Sequence, residues 1–246
     1  VYKRQIFNSI YTAEHYDVRL EQKDWSTADF DDSKWNGVGY RGAPSQNVVS
    51  QQVQPIRIVE TIPANTWKKI NDSTYIFDFA RNMSGVTRIK VSGEEGTVVK
   101  LKHGERLYDN GRVNTSNIDV YHRPVDDSDP FQTDILILSG KGEDEFMARF
   151  NYKGFRYVEV TSSKPIELQQ NSLTAYFVHS DVPQKGEIST SNPLVNRLWW
   201  ATNNAYLSNL MGYPTDCPQR EKNGWTGDGH FAIETALYNY DGITVY

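Results

Sequence analysis

Short runs in which apolar and polar residues alternate fill most of the chain, and turn-forming residues separate them. Tyr75-Ile76-Phe77-Asp78-Phe79 alternates cleanly, and Phe155-Arg156-Tyr157-Val158-Glu159-Val160 does so again. A period of two sends successive side chains to opposite faces. In Val86-Thr87-Arg88-Ile89-Lys90-Val91 it puts Val86, Arg88 and Lys90 on one face and Thr87, Ile89 and Val91 on the other. Ser92-Gly93-Glu94-Glu95-Gly96 is a turn leading into Val98-Val99-Lys100-Leu101-Lys102, while residues 54–60 alternate weakly. Residues 134–138 form a buried-type run closed by Ser139-Gly140-Lys141-Gly142, and residues 173–178 are the last strand. Short strands divided by Gly, Ser and Asp predict an antiparallel β-sandwich, jelly-roll-like, over residues 43–183.

The flanks follow other rules. Within residues 1–42, Trp25, Phe30 and Trp35 recur every five positions, which is neither the strand nor the helix period. With the turn formers Asp31, Asp32 and Ser33 they predict a compact loop pinned by aromatics. The aspartate pair can ligate calcium, but a solvated turn is the preferred reading. After Ser189 the pattern becomes helical. Asn192 is placed as N-cap and Pro193 as the first helical residue. Leu194, Leu198, Ala201 and Ala205 then make one stripe of a helix running to about Leu210, flanked by Trp199 and Trp200. Asp228 is placed to cap a second helix through Phe231, Thr235 and Tyr238. Strands followed by helices give an α+β multi-domain chain, with residues 184–246 opening a helical domain.

Composition narrows the function classes. Fifteen Tyr, 10 Phe and 6 Trp supply core material and also suit sugar surfaces, because an aromatic face packs on the C–H face of a pyranose. A net charge of −5 without a basic stripe argues against nucleic acid as a partner. One cysteine cannot form an internal disulfide, so the redox compartment and the localisation stay open, as does the oligomeric state. No apolar run reaches the length of a membrane span. The chain opens on Val1, whose first residues through Gln5 are left out of the fold argument, and the expectation is a piece of a longer protein.

Residues 216–228 (Asp-Cys-Pro-Gln-Arg-Glu-Lys-Asn-Gly-Trp-Thr-Gly-Asp) concentrate the chemistry. Pro214 and Pro218 deny the segment a regular helix or central strand, while Gly224 and Gly227 permit tight loop angles. Three carboxylates stand near one indole. A glycosidase needs one protonated carboxyl to donate to the leaving oxygen and a second to activate water or attack carbon. Burial against an aromatic and neighbouring carboxylates both favour the protonated form. Glu221, with Trp225 four residues on, is therefore the best acid candidate, and Asp216 and Asp228 suit sugar hydroxyls. Arg220 and Lys222 oppose this if they face the same way.

Two rival chemistries share these residues. Asp216, Asp228 and His230 can hold a divalent metal, though they lack the paired spacing of a strong metal motif. Cys217 can act as a nucleophile with His230 or His179 as base. Elsewhere, His103 beside Glu105 and Arg106 invites a general-base reading, against which stands a strand-edge histidine in a salt network. Residues 110–129, with Tyr121, His122 and Arg123, form a long polar loop.

The run Tyr213-Pro214-Thr215-Asp216-Cys217-Pro218-Gln219-Arg220-Glu221-Lys222-Asn223-Gly224-Trp225-Thr226-Gly227-Asp228 resembles the corresponding motif of bacterial α-L-rhamnosidases. Further segments resemble that family in its own order. They are Phe77-Asp78-Phe79-Ala80-Arg81-Asn82, His103-Gly104-Glu105, the strand at residues 150–157, and Ser191-Asn192-Pro193-Leu194-Val195-Asn196. The Trp25 to Trp35 region is similar to the β-sandwich accessory domains of glycosidases.

The resemblance implies an inverting hydrolase of terminal α-linked L-rhamnose, whose partners are rhamnose-containing glycosides or polysaccharides; no metal or other cofactor is expected. It also implies an (α/α)6 catalytic barrel preceded by β-sandwich domains. Residues 1–42 are then the tail of an accessory sandwich, 43–183 a complete sandwich, and 184–246 the barrel's opening. Carried over by position, Glu221 is the general acid, Asp216 and Asp228 hold rhamnose hydroxyls, and Arg220 and Trp225 shape the subsite. The family's general base falls beyond Tyr246, and Glu234 reads as a solvent-facing helix residue. The chain alone is therefore expected to be nearly inactive and to expose apolar helix faces such as Leu194 and Leu198. The rival classes are a non-catalytic carbohydrate-binding sandwich and an exo-glycosidase for another neutral or deoxy sugar.

Overall fold

The computed structural model describes residues 5–118 and 130–246. Tyr121, His122 and Arg123 lie outside the described residues. The chain begins with β1 (Gln5–Asn8) and β2 (Glu14–Asp17). It continues through β3 (Ile56–Pro63), β4 (Thr66–Asn71), β5 (Thr74–Ser92) and β6 (Val98–Gly104). The short pair β7 (Arg106–Leu107) and β8 (Val113–Asn114) follows, then β9 (Thr133–Ile137) and β10 (Glu143–Met147). The last strands are β11 (Lys153–Ser162) and β12 (Leu173–Ser180), followed by helices α1 (Pro193–Ser208) and α2 (Thr226–Asn239). Among the described residues the architecture is mostly β, a curled ten-stranded sheet with two helices after it.

β5 is the reason the sheet curls. Its 19 residues pair with β4 and β11 in the first half and with β12 and β10 in the second. One strand thus serves two sides of the same core, where Tyr75, Phe77, Phe155, Ile89 and Leu173 are fully buried. Thr87, Ile89 and Val91 point inward and Lys90 outward, as period two requires, but Val86, placed on the face of Lys90, is buried as well. Gly85 sits where the backbones of β5 and β12 meet, since a Cβ there would lie 1.9 Å from the Tyr176 carbonyl oxygen.

The antiparallel expectation fails at one seam. β2 joins β9 in parallel, His15 opposite Ile135 and Asp17 opposite Ile137. β2 and β9 lie far apart in the chain and are not joined by a hairpin, so the geometry that enforces antiparallel pairing there does not apply. The aromatic loop is looser than expected: Phe30 and Trp35 pack at 5.4 Å, but Trp25 is 36% exposed. Asp31 accepts the Ser33 N–H at 3.0 Å, the turn role. Part of the region read as an unpatterned loop, residues 113–114, pairs with β7 instead.

The β5–β11 ladder is broken once, and the break builds the contact with the helices. Phe155 pairs with Met83 and Tyr157 with Asp78, so residues 79–82 project from the ladder. Asp78 holds the projection by accepting the Ala80 N–H at 2.7 Å and both arms of Arg156 at 2.8 Å. At its tip Arg81 donates to Asn204 of α1 at 2.6 Å and covers the Phe177 ring at 4.4 Å.

α1 starts as expected, with the Asn192 carboxamide accepting the Leu194 N–H at 2.9 Å and Pro193 following. The stripe that defined it does not face the neighbouring elements. Leu194 and Leu198 are about 60% exposed, whereas Asn203 and Tyr206 are buried. Tyr206 stacks on Tyr240 at 5.5 Å, and Trp199 donates to Asn239 at 2.9 Å, joining α1 to α2. α2 begins at Thr226, two residues ahead of the expected cap. Asp228 therefore lies in its first turn, where a carboxylate suits the helix dipole, and Phe231 and Tyr238 are exposed. Among the described residues no helix is long and apolar enough to cross a membrane.

Candidate functional site

The segment between α1 and α2 is a closed loop. At its base the Thr215 N–H donates to the Asn209 carbonyl at 2.7 Å. Asp216 and Asn223 then close a ring. The Asp216 N–H donates to the Asn223 carbonyl at 3.0 Å, and the Asn223 N–H returns to the Asp216 carboxylate at 2.9 Å. Cys217 fills the ring. Its thiol donates to the second Asp216 oxygen at 2.9 Å and accepts the Glu221 N–H at 3.2 Å. Burial, and then the bond to Asp216, push the thiol above its ordinary range. That makes Cys217 a strut and not a nucleophile. Neither histidine weighed as its base is bonded to it: the thiol's bonds go to Asp216 and the Glu221 N–H, His179 Nδ1 contacts the Ser180 carbonyl oxygen at 2.7 Å, and His230 is exposed.

Glu221 is half-buried, its side chain 28% exposed, with its carboxyl fixed by the Trp225 indole N–H at 3.0 Å. The contact is through the edge of an indole that is itself 54% exposed. Arg220 approaches the same carboxyl at 3.7 Å, but Lys222 turns away into the interior. Of the two cations, only Arg220 faces this carboxyl.

Asp216 and Asp228 line a hollow of about 310 Å³ with Asn209, Thr215, Tyr206 and Phe231. Its size lies at the lower end of small-ligand sites. Glu221, Arg220 and Trp225 form a second group that does not line this hollow, and Cys217 joins the two groups through Asp216 and the Glu221 backbone. A larger hollow of about 610 Å³, lined by Ile10, Ile56, Ile58, Met147 and Phe150 among others, carries none of the loop carboxylates. Among the described residues no three His, Cys, Asp or Glu side chains converge as a metal site.

His103 is neither a base nor a strand-edge residue. β6 runs between β9 and β11, and His103 is fully buried there, its Nε2 2.9 Å from Thr87 Oγ1 and its Nδ1 3.2 Å from the Gln132 carbonyl oxygen. Burial, and next the Lys153 cation, lower its pKa to about 4. The unfolded chain takes up the proton first, so His103 costs stability as pH falls from about 6.5 toward 4.

Two positioning residues were not legible as such. Glu105 accepts from Asn82 at 2.7 Å and from Gln219 of the loop at 3.2 Å. Gly154 lets the loop lie against β11, since a Cβ there would meet Gln219 Cβ at 2.7 Å and Pro218 Cγ at 3.0 Å. Gly154→Ala is expected to push the loop outward and to cost about 1–3 kcal/mol, the usual penalty of overpacking. An unchanged thermal unfolding profile would show that the loop yields freely.

Comparison with known proteins covers nearly the whole chain. Residues 4–60 match the α-L-rhamnosidase N-terminal domain. Residues 68–179 match the bacterial α-L-rhamnosidase concanavalin-like domain, and residues 183–246 the bacterial α-L-rhamnosidase six-hairpin glycosidase domain. An α-L-rhamnosidase of Formosa agariphila is 32% identical across 98% of this chain and 25% of its own length. One of Streptomyces avermitilis is 34% identical across 94% of this chain and 22% of its own length. The solved α-L-rhamnosidase of Dictyoglumus thermophilum superposes with a TM-score of 0.90 at 36% identity, over all of this chain and 27% of its own. The Streptomyces avermitilis enzyme complexed with L-rhamnose gives 0.84 at 33% identity, over 98% of this chain and 23% of its own. The chain spans about a quarter of the length of the relatives it matches.

Proposed function

Because the chain belongs to the bacterial α-L-rhamnosidase family, we propose that it is part of a glycoside hydrolase that removes terminal α-L-rhamnose with inversion. Glu221 is the general acid that protonates the departing glycosidic oxygen. Asp216 and Asp228 accept hydrogen bonds from the rhamnose hydroxyls, and Arg220 and Trp225 shape the subsite around them. The general base stands beyond Tyr246, in the part of the relatives this chain does not span.

The observation that carries the reading is the Cys217 strut, which couples a hollow lined by two aspartates to a carboxyl held by an indole N–H. An acid of this kind must sit within hydrogen-bond reach of the leaving oxygen while the sugar is gripped from another side. A loop that fixes Asp216 and Glu221 through one side chain supplies that relation. The division into 1–42, 43–183 and 184–246 belongs to the same proposal, with α1 and α2 as the first helices of an (α/α)6 barrel. Their exposed Leu194, Leu198, Phe231 and Tyr238 support it, because helices inside a larger barrel carry apolar faces for neighbours to cover.

Inversion is directly testable in the full-length enzyme. Proton NMR of the first turnovers on an aryl α-L-rhamnoside is expected to show β-L-rhamnose first, with the α anomer appearing only by mutarotation. The α anomer as the initial product would require an enzyme nucleophile and would sink the assignment of roles.

A further inference from the structure

We propose that Lys222 is a positioning residue for Glu221, through which the β-rich part of the chain sets where the acid stands. The inference rests on the reading of Glu221 given above and adds a residue and a device to it.

Lys222 follows Glu221 directly yet points the opposite way. Its φ of +57° lies in the left-handed region, which residues other than glycine adopt only when the surroundings impose it. The side chain is 4% exposed. Its ammonium donates to the Ile10 carbonyl at 2.5 Å and to the Tyr152 carbonyl at 2.6 Å, and lies 4.4 Å over the Tyr152 ring. Ile10 follows β1, and Tyr152 immediately precedes β11, so segments 212 and 70 residues away meet at one nitrogen.

Burying an ammonium is costly unless its donors are satisfied, so the side chain stays in place only while both carbonyls remain where they are. Burial, and then the Lys153 cation, hold Lys222 down to about 7, with the Asp134 carboxylate pulling the other way. Gln219, bonded to Glu105 and lying on Gly154, restrains the preceding turn of the loop. Glu221 is thus held between two anchors that both end in the β-rich part of the chain. Protonating a leaving oxygen is sensitive to displacements of about 1 Å, and this attachment governs such displacements.

The test uses the full-length enzyme and two substrates. Phenyl α-L-rhamnoside needs its leaving oxygen protonated, whereas 2,4-dinitrophenyl α-L-rhamnoside leaves with little help. Lys222→Met keeps the apolar stem and removes the donors. It is expected to lower kcat/KM on the phenyl substrate on the order of 100-fold, and on the dinitrophenyl substrate by less than about tenfold. Lys222→Arg, which still reaches carbonyl acceptors with a cation, is expected to recover most of the phenyl activity. A loss equal on both substrates would mean that Lys222 only supports the fold, and would overturn the proposal. If Lys222→Met does not fold, Lys222→Arg decides: near-normal turnover supports the anchor, and a loss independent of leaving group removes it. Glu221→Gln in the same assay separates the two claims, since an acid assignment in error shows as a Glu221 variant without leaving-group dependence.

Discussion

Glu221→Gln in the full-length enzyme is expected to lower kcat on phenyl α-L-rhamnoside by about 10²–10⁴-fold, the usual contribution of a general acid. L-Rhamnose affinity is expected to stay within about threefold, because the change removes no contact to the sugar ring. The substitution suits the local geometry. Gln is isosteric and retains a carbonyl oxygen to accept the Trp225 indole N–H, now 3.0 Å from the carboxyl. The backbone N–H that Glu221 gives to Cys217 is untouched, so Asp216 keeps its strut. What disappears is the proton. Equilibrium binding of rhamnose alongside steady-state kinetics distinguishes this from general damage: a loss in both would place Glu221 in binding, and near-normal turnover would move the acid to another residue.

Much of the fold was visible in the chain because burial writes itself as periodicity. The β5 alternation and the Asn192-Pro193 helix start are local, and local physics sufficed. β10 was not visible. Its Glu143-Asp144-Glu145 reads as solvated, yet Asp144 turns inward to bind the Ser139 hydroxyl and N–H at 2.7 Å, while Glu145 meets Lys90 across the strand pair. β2 was hidden for a related reason. Glu14 is 3% exposed and is satisfied by the Arg149 N–H at 2.9 Å, a partner 135 residues away that no window of sequence displays. Burial raises its pKa, and that N–H bond works against the rise.

The loop shows the same division. Its residue types, prolines and glycines announced a site, and the structure gathers Asp216, Cys217, Glu221 and Trp225 into one bonded set. Lys222 reads in sequence as a second cation beside Arg220, opposing the acid if it faces the same way. Only the left-handed turn and the two distant carbonyls reveal that it faces inward. The stripe on α1 carried a different ambiguity. Periodicity identifies an apolar face but not its partner, and here Tyr206 and Asn203 make the contacts while Leu198 faces out.

The largest stability effect is expected where two charges lie beneath these elements. Asp134 on β9 and Lys153 on β11 are 0% and 1% exposed, and the ammonium reaches both carboxylate oxygens, at 2.6 and 2.5 Å. Asn151 supplies a third acceptor, and one Asp134 oxygen also takes the Glu14 N–H at 3.1 Å. Burial lowers the Lys153 pKa, and the Asp134 carboxylate opposes that pull. Asp134→Ala would strand the cation and leave the Glu14 N–H without its acceptor. The expected loss is about 3–5 kcal/mol, as when one partner of a buried pair is removed. Because the pair ties β9, β11 and β2 together, thermal unfolding should show it in the transition of the β-rich part. The double variant Asp134→Leu with Lys153→Met replaces both charges by apolar groups of similar size and is expected to recover much of the loss, since desolvation offsets most of the attraction between buried charges. If the single variant costs no more than a typical surface substitution, about 0.5 kcal/mol, then water reaches this pair in solution and the buried network does not hold the strands together.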